Sequence, residues 1–128
     1  MIEKNPTGGN GKKVVGRHFY GNLYNCKVNL ADENFLRDVV LEAVKVSNSE
    51  LVEYTSYRFG EGKYAGISIV AIVAESHISI HTWPEYGYAT IDVYTCGEHT
   101  KPEEAFDFIV EKLKPEKFTK HQLDRSLE

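Results

Sequence analysis

The feature that most constrains the fold is a pair of stretches, "SHISIHTW" and "YATIDVYT", that alternate polar and apolar residues on either side of the turn at residues 84–87. Such alternation is typical of strands that bury one face, and the short turn between them predicts an antiparallel hairpin. Pairing Trp83 with Tyr88 places Ser76 opposite Thr95. One face of the hairpin is then apolar, and the other carries His77, Ser79, His81, Asp92 and Cys96.

Helical periodicity indicates two further segments. Asp32 is a candidate N-cap, and the residues after it recur at helical spacing along one apolar face. Thr100 and Glu103 predict a capping box, and Pro102 suits the first turn of a second amphipathic helix. Additional strands are predicted at about residues 14–20, 51–59 and 66–74 and from Lys117 onward.

These segments follow the order β-α-β-β-β-β-α-β, which favours an α+β two-layer sandwich with a mainly antiparallel sheet and both helices on one face. The length of 128 residues suits one domain. We assign residues 14–128 to that domain and residues 1–13 to a flexible N-terminal tail. Because two helices cover only one face of the sheet, we expect a second copy of the chain to bury the other, in a homodimer.

Composition argues against several classes of partner. The net charge is -4 without a basic block, so no nucleic acid is expected. The longest apolar run, Gly66 to Ala74, is far shorter than the roughly 20 residues of a membrane span, so no membrane partner is expected either. The N-terminal residues lack the apolar core of a secretory signal, which predicts a cytoplasmic location. Cys26, Cys96 and the five histidines show no zinc-like spacing, and we expect no metal.

The predicted register makes Ser76 a neighbour of Cys96, whereas His81 lies about 16 Å along the strand and on the other face. The backbone near Glu75 and Ser76 must therefore bend or bulge if His81 is to cooperate with Ser76, or His81 acts across another irregularity. We expect backbone strain at this peptide, since strained residues cluster at reactive sites. Each residue alone has an ordinary structural explanation, and it is their convergence on one sheet that suggests a functional site.

The segment "ESHISIHTWPEYGYATIDVYTCG" closely resembles the signature of the prokaryotic S-adenosylmethionine decarboxylases, small pyruvoyl-dependent lyases of polyamine synthesis. With "GRHFYGNLY" and the C-terminal "DRS", the resemblance covers about residues 14–126. It implies a proenzyme that cleaves itself between Glu75 and Ser76 into a beta chain, 1–75, and an alpha chain, 76–128. The Ser76 hydroxyl would attack the Glu75 carbonyl, and elimination and hydrolysis would then convert Ser76 into a pyruvoyl group.

The resemblance also implies roles for individual residues. His81 would be the proton acceptor in processing, and Cys96 the proton donor in decarboxylation. The pyruvoyl group from Ser76 would form a Schiff base with the substrate and take up its electrons, so neither pyridoxal phosphate nor a metal is expected. Trp83 and Glu85 are candidate substrate-binding residues, with Ser68 as a further active-site hydroxyl. The expected reaction converts S-adenosylmethionine to S-adenosylmethioninamine and CO2 for spermidine synthesis, in a homodimer of cleaved protomers.

Three alternatives remain open at this point. The family also contains archaeal members that decarboxylate arginine to agmatine with the same pyruvoyl chemistry, and the long motif does not separate the two substrates. A chain that stays uncleaved could instead regulate an active relative by pairing with it. A metal-binding domain that uses His77, His81 and Cys96 would hold metal in stoichiometric amounts.

Overall fold

The structure, a computed structural model, describes residues 3–4 and 13–127 of the chain. The strands are β1 (Glu3–Lys4), β2 (Lys13–Tyr24), β3 (Leu51–Phe59), β4 (Gly66–Val73), β5 (Ser76–Trp83), β6 (Tyr88–Thr95), β7 (Lys117–Phe118) and β8 (His121–Ser126). The helices are α1 (Glu33–Val46) and α2 (Pro102–Leu113), with short 3-10 helices at Gly62–Tyr64 and Pro84–Tyr86. None of the helices within these residues is long and apolar enough to cross a membrane.

All eight strands form one sheet, and every pairing described in it is antiparallel. The order is β1-β2-β6-β5-β4-β3, with β7 and β8 also pairing with β2. The predicted register of the β5–β6 hairpin is confirmed, since Trp83 pairs with Tyr88 and Ser76 pairs with Thr95. The predicted α+β sandwich with a mainly antiparallel sheet is therefore confirmed.

Both ends of the chain contain more strand than the sequence predicted. Of the expected flexible tail at residues 1–13, Glu3–Lys4 pair with β2 and Lys13 already belongs to β2, while the rest lies outside the described residues. The predicted last strand is two strands, because the chain breaks its pairing between β7 and β8. The polar segment "DRS" continues β8 to Ser126 because its backbone pairs with β2, whatever the polarity of its side chains.

The helices pack side by side on one face of the sheet and enclose the core. Apolar side chains at helical spacing on α1 and α2 meet the alternate apolar side chains of β2, β4, β5 and β6. The fully buried members include Leu36, Ile69, Ile80, Ile91 and Phe106. Burial of these side chains provides the main stabilisation of the fold.

The two predicted helix caps have different outcomes. Asp32 is the N-cap of α1, and its carboxylate accepts a hydrogen bond from the N–H of Phe35 at 3.0 Å, as predicted. The predicted capping box at Thr100 is wrong, because the N-cap of α2 is Lys101 without a side-chain hydrogen bond. The Thr100 hydroxyl instead donates to the carbonyl of Gly97 at 2.8 Å, which tightens the connection between β6 and α2.

The other face of the sheet, called the open face below, is not covered by any described element of the chain. It carries rings and polar groups that alternate with the core residues. His18 Nε2 and Asp92 Oδ1 lie 2.9 Å apart near its centre. Towards the β3 edge it also exposes large apolar side chains, with Tyr57 63% and Ile72 46% exposed.

Replacing Phe106 with alanine tests the core between α2 and the sheet. Phe106 is 0% exposed, so we expect F106A to lower the free energy of unfolding by about 3–5 kcal/mol in urea titrations. F118A is the matched control, since Phe118 in β7 is 47% exposed and should lose far less. Equal losses in both variants would contradict this description of the core.

Candidate active site

The connection between β4 and β5 is a tight turn. Val73 pairs with Ser76, which leaves only Ala74 and Glu75 between the strands. Ser76 has a φ of 143°, a value that residues other than glycine rarely adopt. Such a conformation costs on the order of 1–3 kcal/mol and persists only where its surroundings hold it. The strain predicted at the Glu75–Ser76 peptide is therefore present.

The carbonyl of this strained peptide has a defined hydrogen-bond donor. The backbone N–H of Cys96 donates to the Glu75 carbonyl oxygen at 2.8 Å. Cys96 directly follows Thr95, which pairs with Ser76, so the predicted proximity of Ser76 and Cys96 along the sheet is confirmed. A donor in this position stabilises negative charge that develops on the carbonyl oxygen during nucleophilic attack.

The Glu75 side chain is fixed by two further hydrogen bonds. The N–H of Glu50 donates to Oε1 at 3.0 Å, and Nε2 of His99 donates to Oε2 at 2.8 Å. Although desolvation raises the pKa of Glu75, these hydrogen bonds outweigh it, and the pKa is lowered overall. The side chain is only 15% exposed, so it is an ionised group with little access to solvent.

A cavity of about 610 Å³ opens on the open face at the opposite end of β5 from Ser76. It is lined by Phe59, Tyr64, Gly66, Ser68, His81, Thr82, Trp83 and Glu85. Nδ1 of His81 lies 2.8 Å from the hydroxyl oxygen of Ser68, the residue of β4 that pairs with His81. Aromatic walls combined with the carboxylate of Glu85 suit a ligand that has a flat or cationic group.

The structure thus divides the candidate residues into two groups. Ser76 and Cys96 lie at one end of β5, and Ser68, His81, Trp83 and Glu85 lie at the other. β5 is paired without a register shift from Ser76 to Trp83, so about 16 Å of extended strand separates Ser76 from His81. The positive φ of Ser76 does not bring these two residues together within one chain.

His77 and Asp92, two further candidate residues, lie in the middle of the open face. Burial lowers the pKa of His77, the Asp92 carboxylate raises it to a smaller extent, and His18 lowers it further. Within residues 3–4 and 13–127 there is no group of three or more His, Cys, Asp or Glu side chains that could hold a metal ion. His77, His81 and Cys96 therefore do not form the cluster that the metal-binding alternative requires.

Sequence reasoning missed the contribution of Glu50 and His99. Glu50 contacts Glu75 through its backbone N–H, which no side-chain pattern reveals. His99 follows the signature segment by two residues, in the connection between β6 and α2, and its spacing gives no indication of its partner. Only the folded chain places them beside the turn.

The comparisons with known proteins agree with this fold. A family model described as S-adenosylmethionine decarboxylase matches residues 17–126. The S-adenosylmethionine decarboxylase proenzyme of Pyrobaculum arsenaticum is 58% identical over 118 residues, which cover 91% of this chain and 93% of that protein. The arginine decarboxylase proenzyme of Ignicoccus hospitalis is 53% identical over 125 residues, which cover 94% of this chain and 86% of that protein.

A solved structure gives the same result. The crystal structure of the adenosylmethionine decarboxylase from Aquifex aeolicus matches with a TM-score of 0.80 and 36% identity, over 90% of this chain and 93% of that chain. Fold and relatives together define a decarboxylase. The chain belongs to the S-adenosylmethionine decarboxylase family, which confirms the resemblance described above.

The second cysteine, Cys26, lies outside the site and provides a test of the described burial. Burial raises the pKa of Cys26 from 9.0 to about 11, because its thiol is packed against the core. At pH 9 we expect iodoacetamide to alkylate Cys26 about 50-fold more slowly in the folded protein than in urea, since the thiolate is the nucleophile. The C96S variant restricts the measurement to Cys26. Equal rates in the folded and unfolded states would contradict the described burial.

Proposed function

We propose that the chain is a self-processing, pyruvoyl-dependent decarboxylase that acts on S-adenosylmethionine. The observation that carries this proposal is the strained Glu75–Ser76 peptide, whose carbonyl accepts the N–H of Cys96. Family membership supplies the class of reaction. The relatives from Pyrobaculum arsenaticum and Ignicoccus hospitalis are named proenzymes, which supports processing of a precursor.

Processing begins when the Ser76 hydroxyl attacks the Glu75 carbonyl carbon. The Cys96 N–H stabilises the oxyanion, and collapse of the intermediate exchanges the amide for an ester. Loss of the Ser76 α-proton then expels the Glu75 carboxylate and leaves dehydroalanine. Addition of water and loss of ammonia convert that residue into the pyruvoyl group. Cleavage also removes the backbone constraint that holds φ of Ser76 at 143°.

In the decarboxylation, the pyruvoyl group would supply an electron-accepting carbonyl for the electron pair left on the substrate when the bond to the carboxylate breaks. Cys96 protonates the reacting carbon, since its backbone already lies beside the residue that becomes the pyruvoyl group. The cavity with Trp83 and Glu85 holds the rest of the substrate by ring contact and charge. No pyridoxal phosphate and no metal are required for these steps.

The separation of Ser76 from His81 favours a site shared between two copies of the chain. Two copies can stack their open faces about a two-fold axis that lies between the faces and runs perpendicular to β5. In that arrangement the His81 end of β5 in one copy lies over the Ser76 end of β5 in the other. Stacked sheets lie about 10 Å apart, less than the distance along β5. Exposed apolar groups on the open face, including Tyr57 and Ile72, support this burial by a second copy.

In such a homodimer, His81 of the partner subunit accepts protons during processing of Ser76. In a regular strand, the Ser76 side chain would point to the helix face of the sheet. Its positive φ departs from regular strand geometry, so the alternation of side chains along β5 does not determine where this side chain points. Each site then combines Ser76 and Cys96 of one protomer with the cavity of the other. The dimer is proposed to act in the cytoplasm and to supply spermidine synthesis.

Arginine is the second candidate substrate, because the relative from Ignicoccus hospitalis is named an arginine decarboxylase proenzyme. A guanidinium group would pair with Glu85 in the cavity. We favour S-adenosylmethionine because Phe59, Tyr64 and Trp83 offer ring surfaces to a purine, which arginine lacks.

Mass spectrometry of the denatured protein, followed by assays of CO2 release, tests the reaction. We expect fragments 1–75 and 76–128, the second blocked by pyruvate, and faster CO2 release from S-adenosylmethionine than from arginine. S76A should stay uncut, and S56A, which changes a hydroxyl bonded to Glu33 far from the turn, should be cut like wild type. C96A should process but lose about 10²–10⁴-fold in decarboxylation rate. An uncut wild-type chain without either activity would support the regulatory alternative instead.

Co-expression of two inactive variants tests the shared site. S76A retains His81, and H81A retains Ser76, so a mixed dimer contains one complete site. We expect each variant alone to remain uncut and the H81A chain to be cleaved when both are expressed with different tags. Mixed dimers isolated through both tags that remain uncut would contradict the shared site, as would a fully active monomer in sedimentation.

A further inference from the structure

We propose that the Glu75 carboxylate and His99 form a positioning clamp that holds the turn between β4 and β5 in the form that cleaves. The inference rests on the self-processing proposed above and assigns a role to side chains that the reaction itself does not use. Neither group reacts in this scheme. Their task is to keep the Glu75 carbonyl and the Ser76 backbone in place.

Glu75 is held at three points by two parts of the chain, Glu50 before β3 and the connection between β6 and α2. Its carbonyl accepts from Cys96, its Oε1 accepts from Glu50, and its Oε2 accepts from His99. A fourth hydrogen bond joins the N–H of Ala74 to the carbonyl of Glu50 at 2.8 Å. Both residues of the turn are therefore hydrogen-bonded to segments outside it.

The His99 side of the clamp is itself anchored to the end of α1. The Asn48 side chain donates to the His99 carbonyl at 2.9 Å, and the Lys101 N–H donates to the Ser47 carbonyl at 2.8 Å. The connection that carries His99 is thus tied to a packed helix. A rigid anchor is what a positioning group needs, since a mobile partner would follow the turn as it relaxes.

The two hydrogen bonds to the Glu75 carboxylate fix the orientation of this side chain. Both of its oxygens are engaged, one by a backbone N–H and the other by an imidazole. Hydrogen bonds to an ionised acceptor are roughly twice as strong as bonds between neutral groups. They can hold a strained residue that an unsupported turn would release.

The test measures cleavage in a time course after pulse-labelled cell-free translation of the full chain. We expect H99L to be cleaved at least 10-fold more slowly than wild type, because leucine fills the space without donating a hydrogen bond. H99Q restores a side-chain N–H donor and should return the rate to within about threefold. E75Q, which weakens the charge-assisted bond, should be slowed, whereas E104Q on the exposed side of α2 should match wild type.

The melting temperature of each uncut chain, in an S76A background, separates positioning from general stability. Slower cleavage by H99L with rescue by H99Q and matching melting temperatures supports the clamp. If the wild-type chain is cleaved and H99L is cleaved at the same rate, the clamp is overturned but the self-processing reaction is not. The clamp is also overturned if H99L is cleaved slowly and H99Q does not restore the rate. The same holds if the cleavage rates of the variants fall in proportion to their melting temperatures. A wild-type chain that stays uncut overturns both the clamp and the self-processing reaction.

Discussion

Strand β5 pairs with β6 over its whole length, from Ser76 to Trp83, and with β4 from Ser76 to His81. This double pairing fixes the positions of Ser76 and His81 relative to the sheet, because neither end of the strand can slide without breaking a ladder. It also places the short turn at residues 74–75 directly against the end of β6, where the Cys96 N–H is available. The unusual backbone of Ser76 and the cleavage proposed there both depend on this arrangement.

The sequence was sufficient for the centre of the fold. Strict alternation on both sides of Pro84–Gly87 determined the register of the β5–β6 hairpin, and helical spacing after Asp32 located α1 with its cap. These features are local, and each is repeated over many residues. Sequence patterns predict such elements reliably because the residues that determine the element are neighbours along the chain.

Features that depend on distant parts of the chain were not predictable. β1 and β8 form because β2 offers backbone partners, and Thr100 binds within its own connection instead of capping α2. The site shows the same division. The proximity of Ser76 and Cys96 followed from register, whereas the contacts of Glu75 with Glu50 and His99 join segments whose relation appears only after folding.

The position of the Glu75–Ser76 peptide in a tight turn has a consequence for refolding. Strands β4 and β5 pair on both sides of this peptide, so the two fragments would remain joined by the sheet after the bond between them is cut. The folded state would have been reached by one continuous chain, but its recovery after denaturation would require two fragments to meet. Reassembly of the two fragments would then depend on protein concentration. The lifetime of the cut protein would be set by how slowly it unfolds, because refolding would no longer restore it readily.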